Sequence, residues 1–318
     1  MLVELVELVG LYELLGGTAA VGGAAAAARR LRARKLRAHA ARQPGRTAAQ
    51  IRGHYVIERE LAERLRRAPR EARAALYPQV YDELFRRVPH HPQLARQRDP
   101  AERARRARKI GQQLRFLKRF LGPRTRFMEV GAGDCALSLR AAAHAKQVYA
   151  VEVSRQLTKD VAAPGNLALV LTDGPSVPLP DGSVDFAFSD QLMEHLHPED
   201  AAEQVRDIQR VLASGGRYFC ITPNRLYGPW DISSHFDEQA TGLHLKEYSN
   251  GELRRLFLEC GFREVRFYAG ARGYFVRVPY ALIAAMEGLL ERLPHRWRRL
   301  GDFGAVRALL GVRAMAVK

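Results

Sequence analysis

Arg126-Phe-Met-Glu-Val-Gly-Ala-Gly-Asp134 decides how this 318-residue chain is read. Phe127-Met-Glu-Val130 is a short apolar run of strand length, two glycines follow within three positions, and an Ala/Leu-rich stretch, Cys135–Ala145, has helical character. A strand that ends in a glycine turn and opens a helix leaves the first N–H groups of that helix free at the strand end. Open α/β sheets bind their ligands there. Glycine matters at such a turn because a β-carbon would hold the ligand away from the backbone.

Outward from this stretch the pattern repeats. Strands are expected at Val148–Val153, Leu167–Leu171, Val184–Phe188 and Arg217–Thr222, the last preceded by Ser214-Gly-Gly216. A helix over 199–212 separates two of them, and Asn250–Cys260, Phe262–Tyr268, a mostly helical stretch at Val278–Leu310 and a last strand at Val312–Val317 complete the order. Strands alternating with helices of 10–15 residues indicate a mostly parallel, doubly wound α/β sheet. Before it, residues 50–120 are rich in Arg, Ala, Leu and Glu, with breaks expected at Pro69, Pro78 and Pro89–Pro92. They read as a helical region over 46–122, leading into an α/β domain over 123–318.

Gly131-x-Gly133-x-x-Ala136, with Glu152 following, also fits a dinucleotide fingerprint. Three features weigh against a nicotinamide cofactor. Glu129 stands two residues before the first glycine, where a carboxylate suits a ligand bearing an ammonium and a sulfonium and repels a pyrophosphate. Asp173-Gly174 follows the third strand, where a carboxylate can accept from an adenine amino group. Val177 to Asp190 runs as a turn, an Asp-Phe strand and a polar strand end.

With these motifs in this order, the stretch from Phe127 to Tyr268 resembles the class I S-adenosylmethionine-dependent methyltransferases, especially the broad type-11 group. The resemblance implies a seven-stranded Rossmann-like sheet whose antiparallel last strand lies beside strand five. It implies that Glu129 and the Gly131–Gly133 backbone surround the methionine part of S-adenosylmethionine, with Asp134 near its amino group. Glu152 would take both ribose hydroxyls, Asp173 the adenine amino group with the Gly174 N–H alongside, and Ser189 and Asp190 would line the floor beneath the methyl. The chain departs from the group in a long insertion at about 270–310.

The acceptor should sit where three polar stretches gather after strands four and five: Gln191 to Pro198, Thr222 to Asp231, and His235 to Asn250. Two readings compete there. His195 or His197 is a general base for a hydroxyl acceptor, or Glu194, His195 and His244 hold a divalent metal that lowers the acceptor's pKa; beside both stands the reading that these histidines only cap, pack or hydrogen-bond. Glu194-His195 with a later His resembles the ubiquinone-pathway O-methyltransferases and the small-RNA terminal 2′-O-methyltransferases, except that Gln191 stands where a first Glu would be. The resulting expectation is O-methylation of a small-molecule acceptor. The alternative is an RNA methyltransferase of the 2′-O type.

Charge motivates that alternative. Residues 1–125 hold 28 Lys and Arg against 11 Asp and Glu, whereas the remainder is balanced, so the whole net charge of +17 lies in the first part. A basic region attracts RNA or an anionic membrane surface. It is also how an Arg- and Ala-rich solvated helix surface reads. Residues 1–45 form an apolar leader followed by the basic cluster Arg29–Arg37, the reverse of a secretory signal. Three Glu and many Gly and Ala make membrane insertion weak, so these residues are read as a disordered or mis-assigned leader. Cys135, Cys220 and Cys260 form no Cys-x-x-Cys pair, which fits a reducing, cytoplasmic setting. The insertion, with Tyr274 to Met286 and Trp297, reads as an extra packed helix pair, a lid over an apolar acceptor, or a helix on a membrane surface.

Overall fold

The computed structural model describes residues 46–94, 99–298, 302 and 304–318, so expectations for residues 1–45 lie outside the described residues. Three helices come first: α1 (Ala48–Arg67), α2 (Arg70–Arg87) and α3 (Pro100–Leu117). Pro69 separates α1 from α2, and Asp99 caps α3 by accepting the Ala101 N–H. Pro78, expected to break a helix, lies inside α2. The lost backbone bond is outweighed because Tyr77, Val80 and Leu84 of the same helix are buried in the core.

The α/β part runs β1 (Arg126–Val130), α4 (Ala136–Ala141), β2 (Gln147–Glu152), α5 (Arg155–Thr158), β3 (Leu167–Leu171), β4 (Val184–Asp190), α6 (Pro198–Val211), β5 (Leu212–Thr222), α7 (Asn250–Glu259), β6 (Glu264–Ala271), β7 (Tyr274–Val278), α8 (Tyr280–Glu291), α9 (His295–Arg298), α10 (Gly304–Leu310) and β8 (Val312–Val317). The strands form one sheet in the order β3-β2-β1-β4-β5-β8-β6-β7. Strands β1 to β5 pair in parallel, and β8 inserts antiparallel between β5 and β6. This is the doubly wound fold with its inserted antiparallel last strand.

The sheet has eight strands where seven were expected. The additional one, β7, arises because Tyr274-Phe-Val-Arg-Val278, taken with the insertion, is a β-branched and aromatic run. Arg272 and Gly273 both have positive φ (55° and 82°) and join β6 to β7 with Ala271 paired to Tyr274. That is the two-residue hairpin turn whose twist matches its strands.

Alternation along the strands divides the core into two layers. Phe127, Phe186, Phe188, Phe219 and Met315 face Ile110, Leu114 and Leu117 of α3 and Leu137 of α4. Met128, Val130, Ala187, Tyr218, Cys220 and Ala314 face the other way, towards Leu61, Val80, Val205, Phe257 and Ile283. Where both faces are covered, in the middle of the sheet, the strands are mostly apolar, and each fully buried large side chain contributes about 1.5–3 kcal/mol. The insertion is latched by buried Glu287 of α8, which accepts from Asn224 Nδ2 (2.8 Å) and from Asn250 N and Nδ2 (2.9 Å each). Leu282 and Leu289 on the same helix are exposed. No helix among the described residues is long and apolar enough to cross a membrane. All three cysteines are buried and free.

Candidate active site

The turn after β1 has the shape its sequence suggested. The N–H groups of Gly131 and Ala132 both donate to the Val151 carbonyl (2.9 and 3.0 Å), tying the turn to β2. Gly131 has φ +74°, and a β-carbon there would meet Leu192 at 3.0 Å; Gly133 has φ +57° and open space where a β-carbon would stand. The positive φ favours glycine at both positions, Leu192 crowds the first, and the second leaves room for a ligand. Cys135 adopts φ 56° as the residue before α4.

Glu129 is 8% exposed and accepts from Ser138 Oγ at 2.5 Å. Burial pushes its carboxyl up to about 8, with the Ser138 hydrogen bonds opposing. Glu152, at the end of β2, accepts from Gly133 N (2.7 Å), Val153 N and Ser154 N (3.0 Å each). Burial raises its pKa and these N–H groups pull it back. A carboxylate has about four lone-pair positions. Three are taken here, and one oxygen, Oε2, accepts only a single N–H.

The other expected cofactor residues are engaged by protein. Asp134 forms a bidentate pair with Arg106 of α3, its Oδ2 2.7 Å from Nε. Asp190 accepts from Lys109 Nζ and Gln113 Nε2 of the same helix, both at 2.6 Å. Sequence reasoning missed these partners, because ion pairs so distant along the chain leave no local signature. Asp173 accepts from Ser176 N (3.1 Å) and Ser176 Oγ (2.5 Å), closing its own turn. Gly174, at φ +110°, is pressed on Tyr77, where a β-carbon would stand 2.9 Å from the ring. Ser189 is fully buried with its hydroxyl 2.7 Å from Tyr218 OH, so it supports the strand end from within the core.

On the acceptor side, one 3-10 turn after β4, Met193–His195, meets the long connection between β5 and α7. Glu194, His195 and His244 come together there, each with a ligand atom within 4.8 Å of the others. Their supports are in place. His195 Nδ1 bonds the Leu243 carbonyl (3.1 Å), and His244 Nδ1 bonds Glu247 Oε1 (2.7 Å), so Nε2 is the nitrogen left to each ring for a ligand. Glu194 is fully buried; its Oε2 accepts from Thr222 Oγ1 (2.8 Å), and its Oε1 has no partner. A buried unpaired carboxylate oxygen beside two imidazoles held by a carbonyl and a carboxylate offers donor atoms of the kind that a divalent transition metal would take. Glu247 is the supporting residue that sequence reasoning did not single out; its i, i+3 spacing from His244 was the available signal.

Charge separates the readings of the histidines. Burial, and then the neighbouring His244 charge, pushes His195 down to about 3. Such a ring is a feeble base at neutral pH but is already the neutral imidazole that a metal needs. Burial opposes the charged form of His244, yet the Glu247 hydrogen bond and the Glu194 charge lift it to about 9. Burial also lifts Glu194 to about 7. His197 stands outside this group. It caps α6, its Nδ1 accepting the Glu199 N–H (3.4 Å), and its own N–H donates to Tyr77 OH (2.9 Å). Gln191 is exposed at φ 61°, outside the cluster as well.

The family described as "Methyltransferase domain", type 11, matches residues 128–220. The chain is similar to a probable S-adenosylmethionine-dependent methyltransferase of Mycobacterium tuberculosis, 31% identical over 139 residues that make up 43% of this chain and 48% of that protein. It is also similar to one from Mycolicibacterium smegmatis, 37% identical over 98 residues, 31% of this chain and 33% of that one. The chain thus spans about half the length, or less, of the curated relatives it matches. Among solved structures, the YcgJ protein of Bacillus subtilis is similar over 66% of this chain and 97% of its own, at 15% identity and TM-score 0.43. The glycine turn, the acids at the ends of β1 and β2 and the matched stretch agree: residues 128–220 form a methyltransferase domain of the type-11, class I S-adenosylmethionine-dependent kind.

Proposed function

We propose that this protein moves the methyl group of S-adenosylmethionine to an oxygen of a small-molecule acceptor, with a divalent metal held by Glu194, His195 and His244. The observation that carries the acceptor side is the convergence of those three residues beyond β4 and β5, with Glu194 Oε1 buried and unpaired. The cofactor supplies an activated methyl on a sulfonium: its carbon–sulfur bond breaks with the electron pair left on sulfur as the acceptor oxygen closes on carbon. A metal on these ligands would lower the pKa of an acceptor hydroxyl, so the oxygen arrives without its proton.

The chain's own residues then align and desolvate. The Gly131–Gly133 backbone and Glu129 hold the amino-acid end, Glu152 holds the ribose, and His195 and His244 bound the acceptor side. His195 is too weak a base to remove the acceptor's proton, which favours the metal reading over a histidine base. The test is labelled-methyl transfer by the purified protein into cell extract separated into small-molecule, RNA and protein fractions. Label should enter the small-molecule fraction and fall after chelation or in Glu194→Ala. Label confined to RNA or protein would overturn the proposal.

A further inference from the structure

A second cluster lies outside the methyl-transfer machinery. His54 and Glu58 are one helical turn apart on the same face of α1, and His91 comes from the turn that follows α2. Each offers one ligand atom, and the three atoms lie within 4.8 Å of one another. Glu58 Oε1 is 2.6 Å from His54 Nε2 and 3.9 Å from His91 Nε2. His54 is 3% and Glu58 7% exposed.

The cluster is supported from behind. The second oxygen of Glu58 accepts the Leu243 N–H at 3.3 Å. The His91 ring packs edge-on against His54 (centroids 4.8 Å apart) and Phe85 (5.3 Å). Among the described residues no guanidinium or ammonium is in hydrogen-bond contact with Glu58.

We propose that His54, Glu58 and His91 bind a divalent metal of the zinc type, separate from the acceptor-side group. Two imidazole nitrogens and one carboxylate oxygen suit a borderline cation, whereas magnesium and calcium prefer all-oxygen shells. The site also has a place in the architecture. Leu243 gives its N–H to Glu58 and its carbonyl to His195. Gly242 is wedged beside the cluster, where a β-carbon would lie 2.7 Å from Glu58 Oε2 and 2.6 Å from Asp231 Oδ2. A metal on α1 and the turn after α2 therefore fixes the connection that carries His244.

The test is metal counting on the full-length protein, stripped with a chelator and dialysed against a small excess of Zn²⁺. His54→Gln, Glu58→Gln and His91→Gln should each hold one equivalent fewer than the wild type while keeping its affinity for S-adenosylhomocysteine. Glu194→Ala removes only the acceptor-side equivalent, so failure of one site is read separately from failure of the other. Because that variant leaves α1 and α2 intact, its unfolding temperature should still rise with Zn²⁺. Unchanged metal content in the folded α1 and α2 variants, or no Zn²⁺-dependent rise in Glu194→Ala, would overturn the proposal.

Discussion

Glu129 and Glu152 are two buried acids, and their surroundings separate them. Glu152 already accepts three backbone N–H groups. Glu152→Ala orphans those donors at a cost of about 1–3 kcal/mol each where no water replaces the carboxylate, and the structure should tolerate this where water reaches the turn. The one hydrogen bond that the remaining lone-pair position can take, at about 1.5–3 kcal/mol, corresponds to about ten- to a hundredfold in affinity. Calorimetry with S-adenosylhomocysteine should therefore show binding weakened by about tenfold or more in Glu152→Ala while circular dichroism is retained; wild-type affinity would remove the ribose role from this residue. Glu129 makes a prediction about pH. Its folded value, about 8, lies above the ordinary carboxyl value of 4.5. A group raised on folding contributes stability that is complete below the unfolded value and is lost as pH rises through the folded one. Denaturant midpoints should thus fall between about pH 5 and pH 9, and that component should vanish in Glu129→Gln. Over the upper part of the window the ionised carboxylate attracts the cationic cofactor, so the ratio of wild-type to Glu129→Gln affinity should grow with pH. Both acids were legible in the sequence because they sit at fixed places around a glycine turn. Arg106 and Lys109 were not, because their partners Asp134 and Asp190 meet them only through the packing of α3.

At the scale of elements, the buried ion pair between α2 and α6 connects the N-terminal helices to the sheet. Arg73 is 3% exposed and Asp200 1%; Arg73 Nε and Nη2 reach the two Asp200 oxygens at 2.7 and 2.8 Å, and Tyr77 OH adds a third contact at 2.7 Å. Removing one partner of such a pair leaves a charge in the core, at about 3–5 kcal/mol. Arg73→Met should destabilise by that amount in denaturant unfolding; a change under about 1 kcal/mol would mean that water reaches Asp200 and the tie is superficial. The alternating strands and α6 were readable from periodicity, since burial on one face of a helix or both faces of a sheet is written into residue spacing. Strand β7 was not, because Arg272-Gly273 is a weaker turn signal than Asn-Gly and the apolar run continues straight into α8. The acceptor-side residues were legible as a crowd of polar side chains after two strands. What separated His195 from His197 was the 3-10 turn Met193–His195, which places one ring beside His244 and leaves the other to cap α6.

For the whole molecule, the excess of basic residues before Arg126 invites an RNA partner, and the structure gives many of those charges other tasks. Arg70 pairs with Glu203, Arg73 with Glu199 and Asp200, Arg106 with Asp134, and Lys109 with Asp190, each joining the N-terminal helices to an acid of the α/β part. Arg64 and Arg87 pair with Glu83, and Arg66 donates to the carbonyls of Thr241, Gly242 and His244. Arginines held in this way fix a surface, and each pair places a carboxylate beside the guanidinium that a phosphate would have to displace. A dedicated RNA clamp needs several unpaired cations in a row, because each neutralised phosphate contributes about −0.9 to the slope of log K against log salt on a duplex and about −0.7 on a single strand. The expectation is a shallow slope: weak association with RNA at low salt, gone near physiological ionic strength, and no methyl incorporation into RNA at either. Fluorescence anisotropy across a salt series, run beside labelled-methyl transfer on the same RNA, checks both halves. A steep slope together with label in the RNA would assign the N-terminal helices to nucleic-acid binding and make RNA the acceptor.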